Sequence, residues 1–100
     1  MAGMKDQMAI MMKLKKAQKE LAKEIVEVEA GDGAVVVQIN GELKIISVEF
    51  DKKIISENEI DYEELAGYVK AAVRDGMKEA QEVAAEKMKP LMGGLSGLGM

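Results

Sequence analysis

Lys15, Lys19 and Lys23 recur at every fourth residue, with Lys5, Lys13 and Lys16 close by. On a helix that spacing sets the three ammonium groups along one face, where like charges repel by a few tenths of a kcal/mol per pair. A polyanion would relieve the repulsion and gain the entropy of released counterions. The residues alone leave two other readings open. One is a plainly solvated face; the other is a lysine- and methionine-bearing helix lying on a membrane surface, although the chain has no tryptophan to anchor it. A second basic row, Lys70, Arg74 and Lys78, repeats the four-residue spacing in the other half of the chain.

Other chemistry is scarce. With no cysteine and no histidine, the chain lacks disulfides, thiol nucleophiles, imidazole bases and most zinc or copper ligands. Ser47, Ser56 and Ser96 have no imidazole to activate them, which leaves only a serine–lysine pairing. No P-loop and no GxGxxG follows a strand, so nothing is shaped to cradle a nucleotide phosphate. Asp61, Glu63 and Glu64 are better read as helix-start residues favoured by the macrodipole than as cation ligands. The sequence is that of a non-enzyme, with no cofactor, metal or small-molecule substrate expected.

The net charge of −4 conceals an asymmetry. Residues 1–24 hold six lysines against three carboxylates, and residues 25–100 hold eight bases against fifteen acids. An acidic chain is a poor polyanion binder unless its positive charge is gathered in one place. Here it is gathered at the N-terminal end. One hundred residues suffice for one domain. The absence of any spanning-length apolar run predicts a soluble, cytoplasmic protein with no membrane partner.

Residues 4–24 read as an amphipathic helix. Steps of about 100° gather Met4, Met11, Leu14, Leu21, Ala22 and Ile25 on one arc and most of the lysines on another. The period then changes to two. Strands are expected at 25–29, 34–39 and 42–50, joined by Gly31-Asp32-Gly33 and by an Asn40-Gly41 hairpin turn. A two-residue type I′ turn would pair Ile39 with Glu42, Val37 with Lys44 and Val35 with Ile46. One face then carries Val35, Val37, Ile39, Ile46, Val48 and Phe50. The other carries Val36, Leu43 and Ile45 beside Gln38 and Ser47.

Residues 51–60 read as a polar connection, and Asp61 caps a long helix that should run to Lys89, ahead of Pro90. Those 29 residues would extend about 44 Å, more than a three-stranded sheet needs. Ala72, Gly76 and Ala80 lie on its apolar face, where their small size admits a close neighbour. The two-sided apolar sheet and the long helix together predict a dimer, with Val36, Leu43, Ile45, Ala72, Gly76 and Ala80 as packing candidates. The glycine-rich residues 93–100 are expected to form a flexible tail after a single domain, 1–92.

The order helix, three-stranded antiparallel meander, long helix, glycine-rich tail resembles the YbaB/EbfC family of bacterial nucleoid-associated proteins. The stretches that carry the likeness are MAIMMKLKKAQKELAKEI, GAVVVQINGELKIISVEF, EELAGYVKAAVRDGMKEAQEVAAEKM and GGLSGLGM. The resemblance implies an α+β fold (α-β-β-β-α) in a tweezer-like homodimer that binds duplex DNA and alters its conformation. It also implies a place in the nucleoid and a part in gene regulation. The family's DNA contacts lie on the helical arms, which here correspond to Lys5, Lys13, Lys15, Lys16, Lys19 and Lys23, with Lys70, Arg74 and Lys78 as further candidates. A single arginine leaves few bidentate base readers, so low sequence specificity is expected. The rival reading is a dimeric protein-interaction module that presents methionines and an acidic helix flank.

Overall fold

The computed structural model describes the backbone of residues 4–98 and the side chains of residues 7–90. Helix α1 (Met4–Lys23) leads into strands β1 (Ile25–Ala30), β2 (Val35–Asn40) and β3 (Ile45–Phe50). A short helix α2 (Lys52–Glu57) and a long helix α3 (Tyr62–Leu98) follow. The α-β-β-β-α order read from the sequence is the observed one, with α2 added inside the 51–60 connection. That connection coils because Asp51 caps it: its Oδ1 accepts from the Ile54 N–H at 3.0 Å, while the Asn58 side chain donates to the Ile54 carbonyl at 2.8 Å. Asp61 opens α3 in the same way, accepting from the Glu64 N–H at 2.8 Å.

The sheet is an antiparallel meander in the order β1-β2-β3. Gly31, Asp32 and Gly33 all have positive φ in the first turn, and a Cβ on Gly31 would fall 2.6 Å from the Tyr68 ring. At that site glycine serves both the backbone conformation and the approach of α3.

The second hairpin differs from the expected one. Val35 pairs with Phe50 and Val37 with Val48, four residues away from a two-residue turn, and Ile39 pairs with Ile45, three residues away. Asn40 sits at the start of the turn instead of its centre. Its Oδ1 accepts from the N–H groups of Glu42 and Lys44, both at 3.0 Å, and this side-chain turn lengthens the loop to three residues. Leu43 takes the left-handed position with φ 66°. A slip of four is even, so Val35, Val37, Val48 and Phe50 stay on the face read from the sequence. A bulge follows Gln38.

Helix α3 lies across β1 and β2. Val35, Val37, Ile39, Ala72 and Ala80 are fully buried, ringed by Val26, Val28, Ala30, Leu65, Tyr68, Val69, Val73 and Met77. Gly76 marks the closest approach: a Cβ there would meet Ile39 Cδ1 at 2.7 Å and Val28 Cγ2 at 3.7 Å. Ala72, Gly76 and Ala80 therefore admit the sheet of their own chain, which is the close neighbour that their small size signals in the sequence. The reverse face is more polar than expected. Glu27, Gln38 and Ser47 form a hydrogen-bonded rung across all three strands, at 3.1 and 3.2 Å.

Strand β3 is left uncovered. Ile46, Val48 and Phe50 are 50%, 38% and 49% exposed. Helix α3 also packs on α1, and an ion pair from Lys87 to Glu24 at 3.2 Å joins them just past the end of α1. Helix α3 passes Pro90, where a stop was expected, and takes in residues 93–98 of the glycine-rich segment, while Gly99 and Met100 lie outside the described residues. Proline removes the N–H that would bond the Glu86 carbonyl; both residues are exposed, so water can replace that donor. The molecule measures 68 × 21 × 15 Å.

Gly76→Ala adds one methyl against the tip of Ile39 and gains about 1 kcal/mol of helix propensity, so its net effect on stability should be small. Gly76→Leu has no such space and should cost about 1–3 kcal/mol through overpacking. Thermal unfolding of the two variants checks this, with a drop of roughly 4–8 °C expected for each kcal/mol lost.

Candidate nucleic-acid interface

Helix α1 is amphipathic along its described length. Ile10, Leu14, Ala17 and Leu21, spaced four, three and four residues apart, turn inward, with Ala17 and Leu21 buried. Lys13, Lys15, Lys16, Lys19 and Lys23 are all exposed, and the side chain of Lys5 lies outside the described residues. Three ion pairs occur among the described residues: Lys44–Glu42 at 3.7 Å, Arg74–Asp75 at 3.2 Å and Lys87–Glu24 at 3.2 Å. None involves a lysine of α1. Lys15, Lys19 and Lys23 line a shallow groove with Gln18 and Ala22, closed on one side by Glu42 of the hairpin loop. Exposed ammonium groups in a row suit phosphate oxygens spaced along a nucleic-acid backbone, and they carry no preference among bases.

The basic row on α3 has different surroundings. Lys70, Arg74 and Lys78 are exposed, but the Arg74 Nε donates to Asp75 Oδ1 at 3.2 Å. Lys78 shares a groove with Glu27, Glu29, Asp75, Glu79 and Glu82. A neighbouring groove beside β1 is lined by Glu27, Glu79, Glu82 and Glu86 together with Lys87 and Lys89, around Val26, Val83 and Ala85. Positive charge on this side is thus offset by nearby carboxylates. The fold sets a basic outer face on α1 apart from an acidic flank formed by β1 and α3, which reconciles a net charge of −4 with a locally positive surface.

The sequence-derived packing candidates divide as well. Val36 is half-buried between Glu29 and Glu49 in the register, while Leu43 and Ile45 are 38% and 47% exposed. Ala72, Gly76 and Ala80 belong to the intrachain core. Gln18 and Glu42 were not read as part of the basic surface. Gln18 lies three residues after Lys15 on the same helix, but Glu42 comes beside the lysines only through the three-residue loop. Among the described residues no group of three or more His, Cys, Asp and Glu is placed to hold a metal ion, and no helix is long and apolar enough to cross a membrane.

Relatives align with most of the length of this chain. The chain is 40% identical over 85 residues to a nucleoid-associated protein of Chloroflexus aggregans, spanning 85% of this chain and 83% of that one. It is 38% identical to a nucleoid-associated protein of Syntrophobacter fumaroxidans (88% and 78% covered), and 41% identical to one of Rhodococcus erythropolis (81% and 70%). In fold it resembles the crystal structure of an uncharacterized protein from Helicobacter pylori, with a TM-score of 0.68 at 18% identity over 84% of this chain and 86% of the other. A family model matches residues 1–95, and on that match and these relatives the chain belongs to the YbaB/EbfC DNA-binding family.

Proposed function

We propose that the protein is a nucleoid-associated homodimer that binds duplex DNA through phosphate contacts from the outer face of α1. The observation that carries this reading is the row of exposed lysines, Lys13 to Lys23, without a carboxylate partner among the described residues. Contacts of that kind hold the duplex without reading its sequence. Low specificity follows also from the one arginine, Arg74, being engaged by Asp75. Bending or bridging of DNA, and any effect on gene expression, would come from two such arms acting on one duplex. The YbaB/EbfC family is one of DNA binders and not of enzymes, in keeping with a site that offers charge and no activated nucleophile.

The homodimer is supported by β3, an edge strand whose Ile46, Val48 and Phe50 stand half in water. Edge strands of that kind are prone to pair or pack against another chain. A second reading, docking to a protein partner, draws on Met8, Met11 and Met12, which are 64%, 59% and 69% exposed. Methionine suits adaptable protein contacts. Salt separates the two, because counterion release makes DNA binding fall steeply with ionic strength.

Light scattering at micromolar concentration should give twice the chain mass for the parent. Phe50→Glu should give the single mass with helical content retained, and a monomeric parent would refute the dimer. In DNA titrations at several salt concentrations, release of four counterions should give a log–log slope of about −3.6. The triple variant Lys15→Gln, Lys19→Gln, Lys23→Gln should fold normally, bind more weakly by similar factors on unrelated sequences, and show a flatter slope. Parent-like binding by that variant would remove α1 as the contact surface. Glu42→Gln, which takes a negative charge out of the lysine groove, should tighten binding at low salt by roughly two- to fivefold, the size of one exposed charge interaction.

A further inference from the structure

Helix α1 ends without a C-cap of its own. A single residue, Glu24, separates its last turn from β1, and the segment Ala22-Lys23-Glu24-Ile25 offers no glycine to close the helix. The Glu24 N–H reaches back to the Glu20 and Leu21 carbonyls, both at 3.2 Å, and the carbonyls that follow need donors from elsewhere. The tip of the β2–β3 hairpin supplies them. The Gly41 N–H donates to the carbonyls of Leu21 at 2.9 Å and Glu24 at 3.0 Å, and the Asn40 Nδ2 reaches the Ala22 carbonyl at 3.4 Å.

The fit at Gly41 is steric as well. A Cβ there would lie 2.7 Å from the Leu21 carbonyl oxygen and 3.1 Å from Leu21 Cα, backbone atoms that cannot swing aside. Asn40 is 4% exposed and uses both ends of its amide. Its Oδ1 accepts the two backbone N–H groups that shape the loop, which fixes the orientation of the amide and turns Nδ2 toward α1.

We propose that Asn40 and Gly41 form the joint that sets the direction of the lysine-bearing helix relative to the sheet, and so act as positioning residues for DNA binding. Two arms of a dimer can seat their lysines on one duplex only if their angle matches the path of the phosphates. Within one chain the direction of the arm is set by a one-residue connection and the hairpin tip, with α3 packed alongside. The functional half of the inference rests on the reading of α1 as the DNA surface; the structural half does not.

Two variants separate the roles. Gly41→Ala places a methyl against Leu21. Asn40→Asp keeps both accepted bonds and loses the donated one. Residual dipolar couplings of backbone amides in the full-length protein report the direction of α1 against the sheet, without reference to DNA. In the parent, one alignment should fit both. In each variant the sheet couplings should persist, while those of α1 rotate or shrink. Gly41→Ala, which changes no charge, should then bind duplex DNA more weakly, on the order of fivefold at every salt concentration, with the parent's salt slope. Unchanged α1 couplings in both variants would overturn the joint and leave the DNA reading intact. A redirected α1 with undiminished DNA binding would instead overturn α1 as the contact surface, and the positioning role with it.

Discussion

One helix across a three-stranded sheet covers about two strands. A helix with its side chains is about 10–12 Å wide and strands repeat about every 4.8 Å, so the covered strip is set by where the helix makes its closest approach. Here that approach is Gly76 over Ile39 of β2, with Val28 of β1 beside it. Ala72 and Ala80, one turn to either side, keep the helix low along the same line. The core, the polar reverse face and the exposed β3 strand all follow from that contact. A larger residue at 76 would lift α3 from the very strands whose valines and isoleucine it buries.

The same contact arranges the charges. With α3 seated over β1 and β2, its acidic flank comes to lie along the outer edge of β1, where Glu27 and Glu29 add to it. Carboxylates collected at an exposed strand edge discourage another strand from pairing there, since it would have to bring its backbone into a strongly negative groove. The edge at β3 carries one carboxylate, Glu49, beside the exposed Ile46, Val48 and Phe50. Two edges of one small sheet therefore differ in what they admit, and the lysines of α1 lie by neither acidic groove but beside the β2–β3 loop.

Between arm and sheet the chain allows almost no slack. Glu24 alone connects α1 to β1, so a turn of α1 would disturb the hairpin tip, where Gly41 touches Leu21 and Asn40 joins two hydrogen-bonding tasks, as well as the packing of α1 on α3. The arm is braced a second time by Lys87 and Glu24, an exposed pair whose contribution is small beside the buried contacts of Leu21.

What the sequence determined by itself was everything that depends on local period and local chemistry. The switch from a repeat near 3.6 to a repeat of two places the helices and strands. Alternation assigns Val35, Val37, Val48 and Phe50 to one face, an assignment that survives a register error of four because four is even. The spacing of Lys15, Lys19 and Lys23 sets them on one helix face wherever that helix goes. Tertiary structure decided what depends on distant partners. Asn-Gly reads locally as a two-residue turn, but the Asn40 amide bonds the backbone ahead of it and the helix behind it, and the loop becomes three residues long. Gly76 signals a close neighbour without naming it, and the neighbour is Ile39 of the same chain. Lys78 and Lys19 look alike as residues; one shares a groove with five carboxylates from β1 and α3 and the other shares one with Glu42 and two further lysines, because charge is local in sequence while the field a charge feels is made by the whole fold.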